Sequence, residues 1–167
     1  LLDFRRELAD ILDTWGYDVV LLHNDKRLKC PVCWSSTTAE PDKSCTACFG
    51  TGYAYTVSKH RVRSVPISAT SITRPAYQQA DDYSLSLFDA EAFYFKHDAK
   101  INTNDYVLKV GWLNGRASKV IEVYKVMRYE NIRGLSGRVE YTSVVGILRP
   151  DELDRFNRLL SSLEVRG

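Results

Sequence analysis

Two cysteine pairs carry the most evident chemistry of the chain. Cys30-Pro31-Val32-Cys33 and Cys45-Thr46-Ala47-Cys48 hold all four cysteines of the 167 residues. A Cys-x-x-Cys turn presents two thiolates to one ion, and two such turns supply the tetrahedron that zinc accepts. The expected cofactor is therefore one Zn²⁺ on Cys30, Cys33, Cys45 and Cys48. Four thiolates leave no open coordination position, so the ion is expected to be structural rather than a Lewis-acid catalyst. An aromatic follows each pair, Trp34 and Phe49, placed to shield the sulfurs and pack across the module. Gly50 and Gly52 suit turns that need positive φ or close approach. His23 and His60 are near enough in sequence to be alternative ligands, but four cysteines do not need them. The polar residues between the pairs have no core of their own, so metal is expected to supply much of the module's folding energy.

No second constellation of this kind appears. His23, His60 and His97 are scattered, and no serine elbow, P-loop or His-Glu-x-x-His pattern is present. Asp81, Asp82, Asp89 and Glu91 have the ligand type for Mg²⁺ but no companion signature. Neither catalytic residues nor a small-molecule substrate is expected. Lys26, Arg27 and Lys29 flank the cysteines, and Lys59, Arg61 and Arg63 share a strand face that can meet a phosphate backbone. They make a zinc-ribbon nucleic-acid-binding protein the alternative, with Trp34 or Phe49 stacked on a base. The net charge of +2, from 23 Lys and Arg against 21 Asp and Glu, argues against a dedicated nucleic-acid binder. No apolar run approaches the ~20 residues of a membrane-spanning helix. The start, interrupted by Asp3, Arg5, Arg6 and Glu7, shows no signal-peptide pattern. Two tight Cys-x-x-Cys pairs fit a cytosolic metal site better than a secreted disulfide set.

The elements around the cysteines predict a single structural domain over residues 1–167. Phe4, Leu8, Ile11, Leu12 and Trp15 form an apolar stripe at helical spacing, ended by Gly16. Tyr17 to Leu22 reads as a strand, followed by a polar turn from His23 to Arg27. The zinc-binding module, 28–53, is then an insertion. Tyr53, Tyr55 and Val57 begin a strand that runs toward Ser64. Residues 64–86 read as an extended polar loop, and a long loop inside a compact domain usually has a function. A β-rich core occupies 87–149. In it, Ala92 to Phe95 begins a strand, Ile101 to Asp105 is a turn, and Asn114-Gly115 is a hairpin signal. Val120 to Met127 and Val139 to Leu148 are further strands, separated by a turn at Arg133 to Gly137. A C-terminal helix is expected over 151–163, capped by Asp151 and striped by Leu153, Phe156, Leu159, Leu160 and Leu163. The expected fold class is mainly β with terminal helices: a small antiparallel β-barrel or sandwich carrying an inserted zinc-ribbon-like module.

Two resemblances follow from these residues. Cys45, Cys48, Gly50 and Gly52 resemble the Cys-x-x-Cys-x-Gly-x-Gly repeat of the DnaJ chaperone family's cysteine-rich region. That family has four such repeats and a J-domain His-Pro-Asp; this chain has one and a half repeats and no His-Pro-Asp, so the likeness is confined to the knuckle. The β-segment resembles the small β-barrel proteins of tailed-bacteriophage necks: head-completion, stopper or head–tail connector proteins. It does so from Ala92-Phe93-Tyr94-Phe95 through the turn with Asn104-Asp105 to Arg133-Gly134-Leu135-Ser136-Gly137-Arg138-Val139-Glu140-Tyr141. This resemblance implies a virion structural protein that forms a homo-oligomeric ring between head and tail. It implies portal or adaptor and tail proteins as partners, and passing contact with DNA along the 64–86 loop. The zinc module would be an inserted decoration. The same β-rich texture also allows another tail or baseplate component.

Overall fold

Val19, Val20, Leu21 and Leu22 are all buried, although alternate residues of a strand face opposite ways. A strand buried on both faces needs cover on each side, and the architecture supplies it. The computed structural model describes residues 3–34, 40–67 and 90–160. Helix α1 (Phe4–Trp15) leads into β1 (Tyr17–Lys29). There follow β2 (Tyr53–Ile67), β3 (Ala90–Lys96), β4 (Tyr106–Leu113), β5 (Arg116–Arg133) and β6 (Val139–Leu148). A 3-10 turn (Pro150–Glu152) then runs into helix α2 (Leu153–Leu160).

The six strands pair antiparallel in the order β1-β2-β3-β6-β5-β4, and β1 pairs with β4 to close a barrel. Closure leaves no open edge for a foreign strand. One face of β1, Val19 and Leu21, joins Val62, Phe93, Phe95, Val107, Tyr124 and Val144 in the inner core. The other face, Val20 and Leu22, lies with Tyr106, Leu108 and Val110 against Phe156 and Leu160 of α2. The apolar run Val19–Leu22 is thus explained by a barrel on one side and a helix on the other.

Mainly antiparallel β structure with a helix at each end matches the expectation. The barrel is wider in sequence than residues 87–149, since β1 and β2 supply two of its six strands. Asn114-Gly115 forms the β4–β5 hairpin, with φ of 50° and 73°, as a two-residue type I′ turn requires. The predicted turn at His23–Arg27 is only partly one. The strand continues to Lys29, but its pairing with β2 jumps from Asn24↔Tyr55 to Lys29↔Tyr53. Residues 25–28 bulge out, and Asp25 Oδ1 accepts the backbone N–H of Arg27 at 3.0 Å. β2 continues past Ser64 to Ile67, while the rest of the predicted polar loop lies outside the described residues, as does Leu163.

Asp151 does not cap the final helix. Its carboxylate accepts from the Arg149 guanidinium at 3.2 and 3.1 Å, and it lies within the 3-10 turn. The docking of α2 depends instead on Asn157. Its Oδ1 accepts the backbone N–H of Val120 at 2.8 Å, and its Nδ2 donates to the carbonyl of Val120 at 3.3 Å. This occurs where β4 and β5 lose register, between Lys109 and Val110. The side chain therefore does for Val120 what a strand partner would do.

Candidate metal centre

The four cysteines converge. Their sulfurs all lie within 4.8 Å of one another, Cys30 to Cys45 at 3.9 Å and Cys33 to Cys48 at 3.5 Å. These are not disulfide distances, which are about 2.05 Å. A tetrahedral ion with metal–sulfur bonds of about 2.3 Å requires sulfurs about 3.8 Å apart. The donor set therefore fits a tetrahedral thiolate-binding metal. Cys30, Cys45 and Cys48 are buried and Cys33 is half-buried.

The backbone builds this geometry. The Cys30 N–H donates to the Gly52 carbonyl at 2.9 Å and closes the base of the module. Trp34 N–H returns to the Cys30 carbonyl at 3.2 Å, and Thr51 N–H to the Cys48 carbonyl at 3.1 Å, which tightens each knuckle. Gly52 N–H points at the Cys48 sulfur, 3.4 Å away. Gly50 and Gly52 have φ of 80° and 78°, and a Cβ on Gly52 would lie 2.8 Å from Pro41 Cβ. The second knuckle thus needs glycine there for both conformation and space.

The thiols share protons unequally. Burial opposes ionisation of Cys45, but the backbone N–H groups of Cys48 and Ala47 and hydrogen bonds from Cys33 and Cys48 bring it down to about 7. The backbone N–H of Asp42 favours a Cys33 thiolate, yet burial and hydrogen bonds to Cys48, Cys45 and Cys30 hold that thiol up at about 12. Four sulfurs this close cannot all ionise without a compensating cation, because each thiolate raises the cost of the next.

The aromatics that follow the knuckles do not pack across the module as expected. Phe49, at φ 55°, turns away from the sulfurs. Its ring sits 5.2 Å from Tyr55, 5.9 Å from Tyr106 and 5.5 Å from Phe156. The Arg155 guanidinium lies 3.7 Å over its face. Phe49 therefore joins the second knuckle to both barrel and α2. Trp34 lies under the Lys29 ammonium, 3.6 Å from its ring centroid.

The histidines stand apart from the sulfurs. His60 is half-buried, within 2.8 Å of Ser58 Oγ and edge-on to Phe95, and burial lowers its pKa. His97 is exposed just beyond β3. His23 holds Asp105, whose side chain is fully buried, at 2.8 Å. Asp105 also accepts the backbone N–H groups of Asn24 and Asn102, both at 2.9 Å. Burial still pushes its carboxyl above the ordinary value, against those three hydrogen bonds. Asn24 reaches the metal module, donating to Thr51 Oγ1 at 3.1 Å. Sequence reasoning missed this network; its signal was Asn102-Thr103-Asn104-Asp105, where Asn102 Oδ1 accepts the Asn104 N–H at 2.9 Å.

Of the predicted basic face, Arg61 is spent on α1. Its Nε donates to the Leu12 carbonyl at 3.0 Å and its Nη2 to that of Asp13 at 3.2 Å. Glu91 is held by Lys109, at 2.9 and 2.7 Å from its two oxygens, and Lys109 also meets Glu122 at 3.2 Å. Asp81, Asp82 and Asp89 lie outside the described residues. No family model matches the chain, and no curated protein matches it.

Proposed function

We propose that this chain is a structural protein that assembles as a ring in the neck of a tailed bacteriophage, joining head to tail. In this reading the four cysteines hold one structural Zn²⁺ in a zinc-ribbon-like clip, and no residue is catalytic. The observation that carries the assembly reading is the state of α1. Its helical stripe is built for burial, yet among its residues only Leu12 is buried. Phe4, Ile11 and Trp15 remain 57%, 46% and 71% exposed. An amphipathic helix that keeps its apolar face in water is prepared for a partner.

A second copy of the chain suits that face. Glu7 and Asp10 border the stripe without ion-pair partners among the described residues. Across the ring of strands, the β4–β5 hairpin exposes Leu113 and Ile121 beside Arg116 and Lys119. One patch is apolar and acidic, the other apolar and basic. Two different complementary patches on one molecule make a head-to-tail contact, which closes into a ring when the rotation permits. The nucleic-acid-binding alternative draws on Trp34, Phe49 and Arg61, and all three are engaged within the chain.

Native mass and electron microscopy of the metal-loaded chain test the reading, alone and with portal-capped heads. Closed rings, or a ring formed on the head, are expected. Ile11→Asp and Lys119→Glu should each abolish it, and mixing the two variants should stop at a dimer, since each retains one intact patch. Metal analysis should return one zinc per chain. A chain that stays monomeric and does not bind heads would overturn the reading, and salt-dependent binding to DNA or RNA would favour the alternative.

A further inference from the structure

A groove of about 440 Å³ lies between the far end of β1, the β3–β4 connection and the outer part of β5. Part of its lining, His23 to Arg27, immediately precedes the first cysteine pair, but none of the four cysteines lines it and the assembly patches do not use it. Its polar groups are unbalanced. Three cations, Lys26, Arg27 and Lys100, line it.

The acceptors that would normally neutralise such a site are already committed. Asp25 takes three hydrogen bonds from Arg27: the backbone N–H at 3.0 Å, Nε at 3.1 Å and Nη2 at 3.1 Å. Those bonds hold its carboxyl low, at about 2. Asp105 is taken by His23 and two backbone N–H groups. Asn102 Oδ1 accepts from Asn104, and Asn131 Oδ1 accepts from Thr142 Oγ1 at 2.9 Å. Asn24 Oδ1 is the side-chain amide oxygen left without a partner, and it is enclosed.

Four donor groups that line it are not committed. Among the described residues no carboxylate pairs with Lys26 or Lys100, and the Tyr129 hydroxyl and the Asn131 amide N–H₂ have no acceptor. His23 is fixed through Nδ1 by the buried Asp105, with its side chain only 18% exposed. This leaves Nε2 as its free nitrogen, available to a ligand. A groove lined by cations and spare N–H and O–H groups, with its carboxylates spent, is complementary to a multiply charged oxyanion.

We propose that this groove binds a phosphate group, held by Lys26, Lys100 and His23 with Tyr129 and Asn131 as neutral donors. A phosphomonoester and a nucleic-acid backbone offer the same chemistry, and size and charge separate them in the test.

The test follows the His23 ring resonances of the full, metal-loaded chain by NMR. The probes are inorganic phosphate, phenyl phosphate and a short oligothymidylate, with chloride at matched ionic strength as control. Phosphate is expected to move the His23 resonances saturably, and chloride is not. The exposed double substitution Lys26→Gln/Lys100→Gln should weaken phosphate binding about tenfold, the factor that corresponds to about 1.4 kcal/mol. It should leave the melting temperature unchanged, which separates binding from folding. Tighter binding of phenyl phosphate assigns the site to a monoester, and tighter binding of the oligonucleotide that is lost in the double variant assigns it to a backbone. Unmoved His23 resonances, an equal response to chloride, or undiminished affinity in the double variant would each overturn the proposal.

Discussion

Phe49→Ala should uncouple the metal centre from the rest of the protein. The ring is half-buried and meets three aromatic rings at 5.2–5.9 Å, with a guanidinium 3.7 Å above it. Full removal of a core phenylalanine costs about 3–5 kcal/mol. Half-burial reduces that, while the lost ring pairs add about 0.5–1.5 kcal/mol each at most. We expect a loss of about 2–3 kcal/mol. With a urea slope of about 2 kcal/mol/M, the unfolding midpoint should fall by about 1 M.

The more discriminating measurement repeats this in metal-stripped protein. Phe49 follows Cys48 directly, and its position depends on the positive-φ turn that the knuckle imposes. The inner core around Phe93, Phe95 and Val144 excludes the cysteines, so the barrel should still unfold cooperatively without metal. If metal positions Phe49, the penalty of Phe49→Ala should shrink by at least about 1 kcal/mol when metal is removed. Trp34→Ala serves as a control, since its ring meets the exposed Lys29 ammonium, a contact worth only about 0.5–1 kcal/mol. An equal Phe49→Ala penalty with and without metal would refute the coupling. The clip would then be a separate unit resting on the barrel.

Gly52→Ala should cost about 2 kcal/mol through its left-handed backbone and the contact with Pro41, and weaken metal binding, both seen in chelator competition and melting. Leu12→Ala should destabilise the isolated chain by about 2–4 kcal/mol in urea, because Leu12 is fully buried. Trp15→Asp should change the same measurement by less than about 0.5 kcal/mol, because that residue is 71% exposed. Acidification should release metal: the ligands must be thiolates, so protons compete as pH falls. The bound metal's contribution to stability is thus present at neutral pH and lost on the acid side. Metal release monitored by a chromogenic chelator should precede loss of the β-sheet circular dichroism signal.

What could be read from the sequence was local. The cysteine spacing, the Asn114-Gly115 turn and the α1 stripe each depend on residues within a few positions of one another. What could not be read depends on distant pairing. The β1–β4 contact that closes the barrel joins Val20 to Leu108, and no short-range pattern records it. The segment His23–Arg27 has turn composition, and its bulge is turn-like. The burial of Asn24 arises only when the β3–β4 connection brings Asp105 and Asn102 against it. Likewise, an aromatic after a knuckle does not disclose which way it points. The positive φ of Phe49 sends the ring to Tyr106 and Phe156, far along the chain.

The place of the four cysteines in the chain follows from the hairpin they interrupt. β1 and β2 are antiparallel neighbours, but residues 30–52 separate them, far longer than the two to five residues of an ordinary hairpin loop. Closing such a loop by chain entropy alone is unfavourable, and it would leave the register of the strands poorly defined. An ion that ties Cys30 and Cys33 to Cys45 and Cys48 shortens the effective loop at both ends. Cys30 N–H then reaches the Gly52 carbonyl at 2.9 Å, next to the last strand pair, Lys29↔Tyr53. The bulge at 25–28 lies between that pair and the regular ladder, and Asn24 crosses it to Thr51 and Tyr53. The cysteines therefore fix the far end of a hairpin whose near end forms part of the barrel wall. Metal loss should loosen the ladder from the Lys29 end inward, with amide exchange rising at Tyr53 and Tyr55 before it rises at Val62.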